Sequence, residues 1–114
     1  MAVTEPYTFN ATVSTTELSI VSGTSTLQNI TTAGAYQLYV DTTNLAKADE
    51  FRIRIYEKVR SADTKRVVQS WSLLGAQGEN FVTPTLMLLN GWDFTIIRLA
   101  GADRTITASI RKAG

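Results

Sequence analysis

A chain of 114 residues with 44% hydrophobic content suits one domain with its own core, needing no metal or disulfide staple. It contains neither cysteine nor histidine, which excludes disulfides, thiolate metal sites and every Ser-His or Cys-His catalytic arrangement. Net charge is only +1, and all 11 Lys and Arg lie from Lys47 onward. No dense basic stripe with interleaved aromatics results, so no nucleic-acid partner is expected.

The N-terminus has no basic region followed by an apolar core, so a secretory leader is not expected. No apolar run reaches the roughly 20 residues of a membrane helix. The expectation is a protein made in the cytoplasm, with no membrane partner.

Residues 1–7 read as an extended N-terminal arm, because Pro6 lacks a donor and keeps Glu5 out of helical backbone. Tyr7 to Val13 alternates, with Tyr7, Phe9, Ala11 and Val13 on one face of a strand. Glu17 to Val21 and Leu27 to Ile30 read as two short strands around a Ser22–Thr26 turn. Ser and Thr supply 15 of the first 46 residues, a composition that fits pleated surfaces and protein-protein contacts low in charge. Tyr36, Leu38 and Val40 share a face of the next strand. Asp41 to Asn44 then cap a short Leu45–Ala48 segment, read as one helical turn.

Phe51, Ile53 and Ile55 alternate with Arg52, Arg54 and Tyr56. This is the period of a half-buried strand, with the arginines outward. The polar loop from Arg60 to Lys65 turns the chain into Arg66–Leu74, which places Val67, Trp71 and Leu73 together, so residues 44–68 form a long hairpin. Pro84 confines the strand it opens to an edge or bulge. The unbroken apolar run after it, Leu86-Met87-Leu88-Leu89, reads as a strand covered on both sides or lying in an interface. Asn90-Gly91 reads as a two-residue hairpin turn. Trp92, Phe94 and Ile96, then Ile106, Ala108 and Ile110, supply the inward faces of the last two strands.

About eight strands with short turns predict an all-β protein. Two facing sheets best bury so many one-sided strands, so residues 8–114 form a single antiparallel β-sandwich domain with a jelly roll as its wind; a small closed β-barrel is the alternative. Chemistry is sparse. Asp49 and Glu50 are adjacent, so on a strand they diverge and do not form a general acid-base pair. Asp41, Asn44 and Asp49 supply hard-cation oxygens but lack any EF-hand spacing, and turn-capping explains them better. Trp71 and Trp92 would make a sugar platform if exposed, but their positions in alternating strands favour the core. No cofactor and no enzymatic activity are expected.

Two stretches carry a resemblance. Tyr36 to Leu45 followed by Ala48 to Val59, and Gly91-Trp92-Asp93-Phe94 through Gly101-Ala102-Asp103-Arg104 to Arg111, resemble small virion structural proteins of tailed bacteriophages. The resemblance covers about half the chain. It implies a decoration or cement protein on the virion surface, bound to the major capsid protein and homo-oligomeric, with a trimer favoured. Contact residues on that reading are Val3, Glu5, Pro6 and Tyr7 of the arm, outward Arg52 and Arg54, and Arg60 and Lys65 of the hairpin tip. The alternatives are a carbohydrate- or receptor-binding module of a phage tail or fibre, and a capsid shell subunit.

Overall fold

The structure is a computed structural model that describes residues 2–76 and 78–113. Among the described residues nine strands are formed: β1 (Val3–Val13), β2 (Leu18–Ser19), β3 (Gly34–Asp41), β4 (Glu50–Glu57), β5 (Arg66–Leu74), β6 (Phe81–Val82), β7 (Leu86–Leu88), β8 (Asp93–Ala100) and β9 (Arg104–Ala113). They build two antiparallel sheets. Sheet A runs β1-β9-β3-β6, with β7 also on β3, and sheet B runs β2-β8-β4-β5.

Taking β6 and β7 as one interrupted strand, the pairs β1·β9, β2·β8, β3·β6/β7 and β4·β5 are nested. That nesting is a long hairpin rolled up on itself, the wind of a jelly roll. The sheets face each other without closing, so the barrel alternative is overturned. One-sided strands such as β3 and β4 bury alternate residues against the opposite sheet. Phe51, Ile53 and Ile55 of β4 meet Leu38, Val40 and Ile110 in a single core, where Trp92, Phe94 and Ile96 are fully enclosed. Trp92 is its centre, 4.4 Å from the Tyr36 ring and edge-on to Tyr7 and Phe94.

The hairpin expected over residues 44–68 is present, with Phe51 opposite Leu73 and Ile53 opposite Trp71. Other elements differ. The first residues are extended but not a separate arm: Val3 and Thr4 pair with Ala113 and Lys112, so residues 3–13 form one edge strand with a bulge at Glu5-Pro6. Pro6, which cannot donate to the ladder, sits within that irregularity. The strand expected at Leu27–Ile30 shrinks to one bridge between Ile30 and Trp92.

Leu45–Ala48 is not helical. The Asp49 carboxylate accepts from the Ala46 amide at 2.8 Å, and this local bond closes a turn instead of a helix. Asn90-Gly91 is not a hairpin turn either, because β7 belongs to sheet A and β8 to sheet B. The dipeptide supplies a positive φ of 59° at Gly91, and the chain spends it on a corner between sheets. Finally, Leu86–Leu89 is not covered on both sides: Leu88 is buried while Met87 is 88% exposed.

Candidate interaction surface

Register across sheet A places Val3, Ala113, Ala35 and Met87 in one row, one residue from each of β1, β9, β3 and β7. Directly opposed residues of an antiparallel sheet point to the same side, here the outward side, since Tyr36 and Leu38 point to the core. The row lies at the end of the sandwich where β4 turns into β5. There the side-chain amide of Asn90 donates to the Val59 carbonyl at 3.2 Å, and the Lys58 amide donates to the Asn90 carbonyl at 2.9 Å. Val3, Val59, Met87 and Leu89, exposed by 70%, 82%, 88% and 56%, thus belong to one end of the molecule. Val3 and Met87 stand on opposite edge strands of sheet A, with β9 and β3 between them, and this end is the candidate contact surface.

The end is held firmly. One Glu57 carboxylate oxygen accepts from the Leu89 and Asn90 amides, at 2.7 and 2.9 Å. A charged acceptor on two backbone donors fixes the corner that displays Leu89. Gly91 completes the corner, because a Cβ there would overlap the Asn29 side chain and lie 3.4 Å from Lys58 Cε.

The residues singled out from sequence divide between surfaces. Val3 joins the apolar end. Glu5 and Pro6 are exposed on the β1 edge, and Glu5 accepts from the Ser109 hydroxyl. Tyr7 is half-buried against Trp92. Arg60 is exposed at the hairpin tip but folds onto Asp63 at 2.9 Å. Lys65 turns inward, donating to the Gln28 carbonyl, and burial lowers its pKa.

Arg52 and Arg54 do point outward on sheet B, yet neither is a free charge. Arg52 bonds the Ser72 hydroxyl at 3.2 Å and lies 4.0 Å from Glu50. Arg54 lies 3.4 Å from Glu17, whose carboxylate also accepts from the Tyr56 and Thr95 hydroxyls. Burial and Glu17 together raise the Tyr56 pKa. This network ties β4 and β8 to the residue before β2.

Sequence reasoning missed Val59, while Met87 and Leu89 belong to the apolar run read as covered on both sides or lying in an interface. A lone valine between Lys58 and Arg60 was a readable signal, because nothing in a polar loop would cover it. The oxygens weighed as a cation site are dispersed. Asp41 accepts from the Thr43 hydroxyl and from the Thr43 amide, the latter at 2.9 Å, and these bonds, the hydroxyl's first, lower its pKa. Asn44 donates to the Thr105 carbonyl at 2.7 Å, and Asp49 binds Arg104 at 2.7 Å.

The aromatic side chains are engaged as well. Trp92 has no exposure and donates to the Thr32 carbonyl at 3.2 Å. Trp71 packs 5.7 Å from Phe81, and the Arg111 guanidinium covers the Tyr39 ring at 3.7 Å. A cleft of about 230 Å³ beside Tyr39, lined by Asp41, Asn80 and Thr107, therefore offers hydroxyl and carboxylate edges but no open ring for stacking.

No protein-family model matches the chain, and no curated protein does. Among solved structures it is similar to the Yersinia pseudotuberculosis-derived mitogen (YPM), with a TM-score of 0.56, 10% identity, and coverage of 99% of this chain and 86% of that one. At that identity the likeness is one of fold, a two-sheet β-sandwich.

Proposed function

We propose that this chain is a capsid decoration or cement protein of a tailed bacteriophage, docking on the major capsid protein through its apolar end. The observation that carries the proposal is that exposed Val3, Val59, Met87 and Leu89 share one end of the sandwich, where Glu57 pins the Leu89-Asn90 corner. The resemblance of residues 36–45, 48–59 and 91–111 to small virion proteins suggests the class of partner. Rigid presentation of apolar side chains is what a cement protein needs, since small interface energies multiply over a lattice. The carbohydrate-module alternative needs an open aromatic face, whereas Trp92 is enclosed and Tyr39 is covered by Arg111.

Cryo-EM of the parent particle tests the assignment: density for this fold on the head surface is expected. Density at the tail alone, or at no position, defeats it. Full-length chain carrying Val59→Ser, Met87→Ser and Leu89→Ser should keep its melting temperature and lose binding to undecorated heads. Undiminished binding would move the docking surface elsewhere.

A further inference from the structure

Two β-sheets have four edges, and an open edge is a row of unpaired backbone donors and acceptors that proteins ordinarily blunt. Two of the four are short or broken here. β2 is two residues long. The β6/β7 edge is interrupted at Thr83-Pro84. β5 opens on Arg66 and has a bulge near its start, Ile55 facing Gln69 while Tyr56 faces Val67, after which Gln69–Leu74 run in regular register.

β1 offers the longer regular stretch. Among the described residues it pairs with β9 alone, and its bulge lies between Thr4 and Tyr7. From Tyr7 to Val13 the register with β9 is unbroken from Ile110 to Arg104. This stretch contains no Pro, Gly, Lys, Arg, Asp or Glu. On its outer face Thr8, Asn10 and Thr12 are exposed.

The stretch is also complementary to itself. In an antiparallel pair centred on Asn10, Tyr7 faces Val13 of the second copy, Phe9 faces Ala11, and Thr8 faces Thr12. On the core side Phe9 and Val13 are already enclosed in their own sandwich, so the backbone ladder and the outer side, where hydroxyls meet hydroxyls, make the contact. No like charges oppose, which is the electrostatic condition for a strand to pair with its own copy. We propose that two copies of this chain pair through β1 about a two-fold axis at Asn10, joining their A sheets into one continuous sheet. The contact is isologous, so it closes at two copies rather than propagating. It replaces the three-fold assembly that the resemblance implies. It is independent of what the apolar end binds.

A seven-residue strand pair is small beside the roughly 1,200 Å² of stable interfaces, so the dimer is weak and a covalent trap reads it best. The chain has no cysteine, which makes single substitutions clean reporters. Opposed residues of an antiparallel pair have Cα atoms about 4.5–5.5 Å apart, within disulfide range. Asn10→Cys should therefore oxidise to a linked dimer on the order of 10-fold faster than Thr8→Cys or Thr12→Cys alone, through the raised effective concentration. A mixture of the last two should cross-link at the fast rate. Thr8→Lys with Thr12→Lys in the Asn10→Cys background places lysines opposite one another; it should abolish the fast phase while leaving the melting temperature unchanged. Equal rates for all three single cysteines, or a fast phase that survives the two lysines, overturns the proposal.

Discussion

Asp49 and Arg104 stand 55 residues apart and form an ion pair of 2.7 Å with the Asp49 side chain only 1% exposed. The same carboxylate accepts from the Ala46 and Ala102 amides, at 2.8 and 3.1 Å. Arg104 opens β9 in sheet A, while Asp49 precedes β4 in sheet B. One carboxylate thus ties the two sheets at the end opposite the apolar patch. The acidic turn before β4 thereby receives the Gly101-Ala102-Asp103-Arg104 turn before β9.

This arrangement sets a pH dependence. Arg104, then the Ala46 amide, holds the Asp49 carboxyl down at about 2 against 3.8 unperturbed. A carboxyl depressed in the folded state stabilises fully above the unfolded value and loses that contribution as pH falls through the folded one. Asp49→Asn should therefore melt several degrees below the parent chain at pH 6, and the two should converge as pH drops from about 4 to about 2. Thermal melts across that range check it; a gap that widens on acidification contradicts the assignment.

Gly101 should tolerate no side chain. Its φ is 87°, and a Cβ there would overlap the Asp49 carboxylate, lie 2.7 Å from Asp49 Cα and 3.0 Å from the Ala48 carbonyl. Backbone cannot step aside as a flexible side chain can. Gly101→Ala should cost more than about 1 kcal/mol, read as a lower urea midpoint. Alanine at Gly78, where no atom lies within 4 Å of an added Cβ and φ is not positive, is the matched control.

Asp93 titrates in the opposite sense. It is wholly buried, accepting from the Ser19 hydroxyl and the Gln28 amide, each at 2.9 Å. Burial raises its pKa above 3.8, outweighing those bonds and the nearby Lys65. Below 3.8 the carboxyl is neutral in both states. As pH rises toward the folded value the unfolded chain ionises first, and stability falls. Asp93→Asn lacks that loss but gives up one acceptor. Its deficit against the parent chain should therefore be larger at pH 3 than at pH 7, in urea denaturation at both. An equal deficit at the two pH values removes the buried charge from the account.

The inward faces were legible because period-two alternation is imposed by the pleat itself. Phe51, Ile53, Ile55 and Trp92 could be assigned without knowing their partners. Sheet membership was not local in this way. Asn90-Gly91 has the backbone freedom of a hairpin turn, and only the nested pairing of distant strands makes it a corner between sheets. The apolar end was hidden for the same reason: Val3, Val59 and Met87 come from three separate segments. Their nearness is a property of register. Arg54 and Lys65 looked available because sequence shows a charge but not Glu17 or the Gln28 carbonyl that engages it.

Thr83 completes the edge of sheet A where Pro84 interrupts it. Its amide donates to the Leu38 carbonyl at 3.0 Å, and its hydroxyl accepts from the Leu38 amide at 3.0 Å. The side chain thus stands in for the carbonyl a regular strand would present. Thr83 is 1% exposed and Leu38 is fully buried, so water cannot replace the hydroxyl. Thr83→Val keeps the shape and removes the acceptor, leaving a buried amide unpaired at a cost of about 1–3 kcal/mol. Thr83→Ser retains the acceptor and should lose less. Urea midpoints should therefore rank parent, serine, valine; valine equal to or above serine would mean that packing, not the hydrogen bond, holds this break in the strand.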